Sequence, residues 1–331
     1  MNKTKLIFVL LTSLALGACS NSDDDELTSQ QPKFYPMTIE VTENPMVQDG
    51  EGGGTTRAAI TTNSSLDKFY MDYKYSSTGS DGTSPETATK DLEGKWSGGS
   101  WPGDAVSSNA EVTWYAYTGG TFNLNGGTPY INFTVEEAAA SQHDLLVATA
   151  SGTNSGTGGK LSFTFDHACS ALRFYVKKSP NLDSYTLSVS SIVLKNVKKH
   201  GKYYYGTSSW NNIDTYTNYT LYSGSAMTLG SDKTKDYVAL NGNFGTAGEP
   251  YLFIIPQTLT AWDTTGDLSN TYLELTCTIT NTSTSTSTQV YSGTAYIPFA
   301  ATFEKGTKYD VKINIGKNSL YKSTDTKIIS D

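Results

Sequence analysis

Short segments of alternating polar and apolar residues, separated by clusters of glycine, asparagine, serine and proline, run along most of this sequence. Such segments are typical of half-buried strands, because successive side chains of a strand point to opposite faces of its sheet. Clear examples are residues 66–75, 110–117, 128–135 and 160–178. Helical periodicity is nearly absent, and residues 136–141 favour at most a turn or two of helix. The pattern therefore predicts an all-β protein built from antiparallel β-sandwiches.

Length and composition extend this prediction. The chain has 331 residues, which suggests about two domains. A flexible stretch at 150–160 predicts a boundary near Lys160, with one sandwich over 58–159 and a second over 160–331. The alternative is that 150–160 is a long hairpin loop. The net charge of −8 offers no basic surface for phosphates, so we expect no nucleic-acid partner.

The N-terminus has the pattern of a secretory signal peptide over residues 1–18. Lys3 and Lys5 precede an apolar run, Leu6–Leu16, that is too short to span a bilayer as a helix. The sequence LGAC then places Cys19 after small residues, as in a bacterial lipobox. We expect Cys19 to be the lipid attachment site; the alternative is an ordinary signal peptide in which this cysteine is incidental.

Four acidic residues follow directly, at positions 23–26. A charge run of this kind is usually a solvated tether. After a lipobox it also resembles the signal that sends some lipoproteins to the outer face of the outer membrane. Residues 19–57 are therefore interpreted as a lipidated tether followed by a removable segment, with the lipid holding the precursor at the outer membrane.

The removable segment includes a predicted strand at residues 33–47. Met37, Ile39 and Val41 alternate with polar residues, which predicts one apolar face. Pro36 and Pro45 cannot donate backbone hydrogen bonds, so they confine the strand to the edge of a sheet.

A glycine-rich stretch with a single arginine follows this strand. Arg57 is one of two arginines in the chain, and it stands after "GEGGGTT" and before Ala58. Exposed loops of small residues are preferred sites of proteolysis. The other arginine, Arg173, lies in a strand-like run, out of reach of a protease. We therefore expect cleavage after Arg57 by an arginine-specific protease, giving a product that begins at Ala58.

Such a cut would leave residues 33–47 attached to the rest of the protein only through strand contacts. If the strand departs, it uncovers an apolar groove and a row of unpaired backbone groups. An edge of this kind is a template for a strand from another chain. The expected mode of assembly is β-augmentation.

Catalytic and metal-binding patterns are not evident in the sequence. It has no nucleophile elbow, P-loop, HExxH motif or paired-cysteine spacing, so we expect no enzymatic activity, no metal and no cofactor. His167 is interpreted as a sheet or core histidine. Cys169 and Cys277 either form a disulfide or remain buried thiols, and we favour the thiols.

Aromatic residues in two turn-like segments leave a further question open. Trp96 and Trp101 lie in "WSGGSWPGD", and Tyr204 lies in "GKYYYGTSSW". If exposed, these rings could stack on a sugar. The alternative is that they belong to the core or to a hairpin edge, since aromatic residues dominate protein cores.

Five segments, in this order, resemble the fimbrillin family, the type V pilus subunits of Gram-negative gut and oral bacteria. They are the lipobox at Cys19, "TTRAAI" around Arg57, "FTFDHACSALRFYV", "EPYLFIIPQ" and the terminal "FEKGTKYDVKINIG". The resemblance covers nearly the whole chain. It implies two transthyretin-like β-sandwiches in tandem, export as a lipoprotein precursor, cleavage after Arg57, and polymerisation by donor-strand exchange with other pilus subunits in a surface fimbrium.

The resemblance leaves the position in a pilus open. In family members that form stalks the C-terminal tail supplies the donor strand, but residues 317–331 offer only Leu320 and Ile328 as apolar anchors on one face. The tail could instead pack on its own domain. A tip position, with a host or bacterial receptor, is compatible with the sequence. A second functional hypothesis is a monomeric, lipid-tethered surface protein that binds glycans.

Overall fold

The computed structural model describes residues 35–48, 66–75, 85–124, 127–157, 159–230, 237–240, 251–264, 268–283, 285–323 and 326–329. Twenty strands occur in these ranges, and helical structure is confined to short turns. In chain order the strands are β1 Thr38–Glu43, β2 Val47–Gln48, β3 Lys68–Tyr75, β4 Glu86–Lys90, β5 Trp96–Ser97, β6 Val112–Tyr117, β7 Thr121–Asn123, β8 Tyr130–Thr134, β9 Leu146–Gly152, β10 Lys160–His167, β11 Ser170–Lys178, β12 Tyr185–Tyr204, β13 Ser209–Thr228, β14 Val238–Ala239, β15 Leu252–Ile254, β16 Thr258–Leu259, β17 Tyr272–Asn281, β18 Thr288–Pro298, β19 Ala301–Thr302 and β20 Thr307–Ile315. The helices are α1 Gly103–Ser108 and the single turn α2 Asn154–Thr157, with 3₁₀ turns at Ala139–Ser141, Pro180–Leu182 and Lys317–Ser319.

This composition of elements confirms the all-β prediction. The residues that favoured helix at 136–141 form one 3₁₀ turn, Ala139–Ser141. No helix among the described residues is long and apolar enough to cross a membrane.

The first sheet has seven strands in the order β1-β10-β9-β6-β3-β4-β5. Its strands follow the alternation in the sequence: from Lys160 to His167, exposed and buried residues of β10 alternate without exception. The buried faces form one apolar cluster that is rich in aromatic rings, among them Phe69, Trp96, Trp101, Trp114, Phe163 and Phe165. This cluster is the core beneath β1.

The other large sheets share a second apolar cluster. One sheet has the order β14-β11-β20-β2, with β15 also pairing with β11, and the other has the order β18-β17-β12-β8-β7, with β13 pairing with β12. Strand β11 is central in its sheet and is buried along nearly its whole length. Most pairings are antiparallel, as predicted, but β1–β10, β11–β20 and β2–β20 are parallel.

The stretch at 150–160, where a domain boundary is predicted, is part of a hairpin connection. Strands β9 and β10 on either side of it pair antiparallel at Asp166–Val147 and His167–Leu146. Strand β10 belongs to the first sheet, whereas β7 and β8, from the earlier half of the sequence, join β12. All the described residues lie in one compact unit. The division into two tandem domains at residue 159 stays a prediction.

Candidate functional site: strand β1 and the groove it fills

Strand β1 lies at one end of the first sheet and pairs with β10 in parallel over six positions, from Thr38–Lys160 to Glu43–Phe165. Just before β1, the chain also contacts the opposite end of the same sheet. Pro36 forms an antiparallel bridge with Ser100, beyond β5. Residues 35–43 therefore join the two ends of the first sheet, and we call the surface they cover on β10 and on residues 99–101 the β1 groove.

Proline is compatible with this position because its missing donor is not needed there. The bridge uses the neighbouring residues: the Trp101 N–H donates to the Tyr35 carbonyl at 2.9 Å, and the Met37 N–H donates to the Gly99 carbonyl at 3.3 Å. Two backbone hydrogen bonds thus close the sheet around Pro36.

The inward side chains of this segment join the core of the first sheet. Met37 and Ile39 are 7% and 5% exposed, and Val41 is partly buried against the same cluster. Full burial of a side chain of this size contributes about 1.5–3 kcal/mol. The alternation read from the sequence thus corresponds to a strand whose apolar face fills the β1 groove; its role as a removable strand stays a prediction.

The outward side chains of this segment pair with side chains of β10 on the solvent-exposed face of the sheet. Glu40 accepts from the Lys160 ammonium at 2.5 Å and from the Ser162 hydroxyl at 3.2 Å. The Asn44 amide donates to Asp166 at 2.7 Å. Exposed pairs of this kind contribute little, because water competes for both partners.

A buried ionic cluster lies at the end of β1. His167 is 4% exposed and continues the inward face of β10. Its Nδ1 lies 2.5 Å from Asp144 Oδ2, and its Nε2 lies 3.2 Å from Glu43 Oε1. The second contact has the distance of an ion pair, and Nε2 has no hydrogen-bond partner among the described residues. Glu43 of strand β1 thus forms the only ion pair with that nitrogen among the described residues.

The electrostatics of this cluster favour a charged imidazole. Burial opposes the charge, but the contacts with Asp144 and Glu43 outweigh it and raise the pKa of His167 to about 9. Asp144 is itself held in place, because its other oxygen accepts the Cys169 backbone N–H at 3.1 Å. At neutral pH His167 is therefore an imidazolium between two carboxylates.

After β1 the chain passes to the next sheet. Met46 is 2% exposed within the second apolar cluster, and β2 pairs in parallel with β20. The Val47 N–H donates to the Gly306 carbonyl at 2.8 Å. One short segment thus contributes buried side chains to both clusters.

The predicted processing sites, Cys19, Arg57 and Ala58, lie outside the described residues. The description stops at Gln48 and resumes at Leu66. Arg173 lies in the central strand β11, where its guanidinium forms two hydrogen bonds with Asp310. Arg173 is thus part of a sheet.

The tryptophans that were considered for sugar binding belong to the core. Trp96 is 9% exposed and packs against Phe69, and Trp101 is 2% exposed and donates its indole N–H to the Gly159 carbonyl. Neither ring presents a face to solvent, so the core alternative holds for both. Tyr204 is half-buried beside Tyr130, with ring centroids 5.2 Å apart.

An open cleft that the sequence did not reveal lies elsewhere, beside β13. It has a volume of about 310 Å³ and is lined mainly by amide and hydroxyl side chains, including Asn196, Gln257 and Asn270. Tyr216 lines it with 60% of its surface exposed, and the Lys198 ammonium lies 5.6 Å from the centre of its ring.

The described part of the chain does not bring reactive thiols or metal ligands together in one site. Cys169 and Cys277 are free and buried, and burial raises the pKa of the Cys277 thiol to about 12. No group of three or more possible metal ligands occurs among the described residues.

The C-terminal tail packs on its own fold. Of the two predicted anchors, Leu320 is fully buried and Ile328 is partly buried against the second apolar cluster, to which Ile329 also belongs. The backbone of Tyr321 exchanges two hydrogen bonds with that of Tyr296, at 2.9 and 3.0 Å. In this structure the anchors of the tail are engaged within the chain.

Comparison with known proteins identifies the family of this all-β chain with its sheet-closing first strand. A family model described as fimbrillin-like matches residues 56–329. This chain belongs to the fimbrillin-like family. As a member, it is a surface protein of the pilus or adhesin type. No curated protein matches the sequence.

Solved structures similar to this chain have low sequence identity to it. A fimbrial protein from Bacteroides vulgatus superposes with a TM-score of 0.50 at 17% identity, covering 85% of this chain and 95% of that one. A candidate cell adhesion protein from Bacteroides ovatus gives a TM-score of 0.46 at 14% identity, covering 87% and 95% of the two chains. At 17% identity the similarity to the Bacteroides vulgatus protein concerns the fold alone.

Proposed function

We propose that this fimbrillin-like protein is a structural subunit of a surface pilus. It is exported as a lipoprotein precursor anchored through Cys19 to the outer membrane, and an arginine-specific protease cuts it after Arg57. A strand from another pilus subunit then takes the place of β1. The protein acts by assembly rather than by catalysis, as a stalk or tip subunit.

One observation carries this proposal: residues 35–43 close the first sheet as a separate strand held by non-covalent contacts on both sides. The chain connection from β2 to β3 runs through residues 49–67, which include Arg57. A cut at that residue would convert β1 and β2 from parts of the chain into a bound peptide. Loss of the peptide would uncover the backbone edge of β10, a template for another strand.

The direct test replaces Arg57 in the full-length precursor. Arg57→Lys keeps the positive charge but removes the arginine that the protease recognises, and Arg57→Ala removes both. We expect cells that produce either variant to retain protein with a lipidated Cys19 and to shed no polymer. Wild-type protein sheared from cells should begin at Ala58 on N-terminal sequencing. Polymers that begin at Ala58 in the Arg57→Ala strain would contradict the processing scheme.

The cleft beside Tyr216 supports a second candidate function, glycan binding at the cell surface. An exposed aromatic ring among amides and hydroxyls, with one cation nearby, suits a sugar, which presents both apolar faces and hydroxyl groups. On a glycan array, Tyr216→Ala should lose binding that Tyr204→Phe retains. Equal binding by both variants would exclude this cleft.

A further inference from the structure

We propose that the strand that replaces β1 carries a carboxylate at the place of Glu43, and that His167 selects for it. The inference rests on the proposed strand exchange and specifies the partner: an extended segment of another chain with alternating apolar residues and an aspartate or glutamate at the His167 end of the β1 groove.

The geometry of β1 defines this requirement. Met37, Ile39, Val41 and Glu43 share one parity, so the inward face of the strand is three apolar residues followed by an acid. Glu43 lies opposite Phe165 in the register, two residues before His167. Its carboxylate reaches Nε2 at 3.2 Å from inside the groove. A buried cation stabilises an acid on the inward face of a strand, and His167 supplies that cation here.

The contacts that hold His167 in place do not involve β1. The need for a carboxylate opposite Nε2 therefore remains after β1 leaves. Asp144 comes from the segment before β9, and Cys169 fixes it from the segment between β10 and β11, so neither depends on β1. These contacts hold Nδ1, while Nε2 faces the groove. Water can bind Nε2 while the groove is open. An apolar strand would expel that water and leave a buried imidazolium without the carboxylate that lies 3.2 Å from its Nε2 in this structure.

The free-energy cost of losing a polar partner differs between the two faces of an incoming strand. Outward residues meet Lys160, Ser162, Thr164 and Asp166 in solvent, where water can replace a lost partner. Apolar residues at the inward positions satisfy the core but not His167. The carboxylate is thus the one polar feature that the groove demands, and it fixes the register because a shift by two residues moves it away from Nε2.

The experiment uses the full-length chain cut after Arg57 and three fluorescent peptides that span residues 35–48. The peptides are the native sequence, Glu43→Gln, and the matched control Glu40→Gln, which changes an outward acid on the same strand. We expect the Glu43→Gln peptide to be captured about tenfold more weakly than the native one, since an unpaired buried partner costs about 1.4 kcal/mol or more. The Glu40→Gln peptide should match the native one. Equal capture of all three would overturn the selection while leaving strand exchange intact. Capture of none would overturn strand exchange itself, and the selection with it.

A second variant assigns the effect to His167. In a cut His167→Gln chain, the native and Glu43→Gln peptides should be captured equally, because the buried cation is gone. A preserved tenfold preference would overturn the role of His167. Should that variant not fold, the uncut chain provides the readout: Glu43→Gln should lower the thermal midpoint and Glu40→Gln should not, and equal midpoints would overturn the proposal.

Discussion

Each face of β1 carries one glutamate that pairs with a basic residue of β10, but the two pairs differ in burial. On the outer face Glu40 meets Lys160 at 2.5 Å, and on the inner face Glu43 meets His167 at 3.2 Å. The outer pair is the shorter one, yet both of its side chains are about half exposed, whereas His167 is almost completely buried. Burial rather than distance decides which pair matters, because water screens the first and is excluded from the second.

The largest expected effect comes from the apolar part of the inner face. Ile39→Ala truncates an almost completely buried side chain of β1 in the core of the first sheet. We expect a loss of about 2–5 kcal/mol in the free energy of unfolding, measured by chemical denaturation. Thr42→Ala, on the outer face of the same strand, is the matched control and should change stability little. A similar loss of stability in both variants would mean that burial of the inner face does not determine how β1 stabilises the fold.

The next effect is a pH dependence that belongs to the inner pair. The pKa of His167 in the folded protein is about 9, above its ordinary value of 6.5, so protonation stabilises the fold. This stabilisation is complete below about pH 6.5 and is lost as the pH rises through 9. We expect the free energy of unfolding of the wild type to fall by about 1–3 kcal/mol over this range relative to His167→Gln.

The comparison with His167→Gln is necessary because other groups titrate in the same direction. Burial raises the pKa of the thiols of Cys169 and Cys277, so both disfavour the folded state at alkaline pH. These contributions are common to the two proteins and cancel in the difference. Parallel stability curves for wild type and variant would show that His167 is not charged in the fold.

Glu43→Gln in the uncut chain should reduce stability by about 1–3 kcal/mol at pH 7, because it removes the carboxylate that compensates a buried charge. The loss should shrink above pH 9, where His167 is neutral. A loss that is independent of pH would indicate a packing defect instead of a lost ion pair.

The smallest effect is expected on the outer face. Glu40→Gln should leave the thermal midpoint unchanged within error, although Lys160 lowers the pKa of Glu40. A measurable loss that disappears at high salt would show that the exposed pair contributes more than its solvent exposure suggests.

Much of the fold can be predicted from residue patterns. The alternation over residues 160–167 and 37–41 predicts strands with one buried face, and both are present. Local pattern is sufficient here because the period of two is a property of the strand itself.

The candidate site is only partly predictable. Pro36 and Pro45 indicate that the first strand lies at an edge, but pattern does not reveal that Pro36 bridges to Ser100 and closes the sheet. Glu43 has the same parity as Met37, and His167 the same as Phe165, so two polar residues on apolar faces were a readable signal. The pairing of His167 with Glu43 and with Asp144, which comes from another strand connection, depends on contacts between distant segments.

The sequence by itself determined the strands, their buried faces and the family, because these depend on side-chain periodicity and on short ordered motifs. The tertiary structure alone decided that β1 runs parallel to β10, that it joins both ends of one sheet, and that the tryptophans at 96 and 101 are core residues. It also decided the charge of His167, since an imidazole becomes a buried cation only when distant carboxylates are brought within about 3 Å of its two nitrogens.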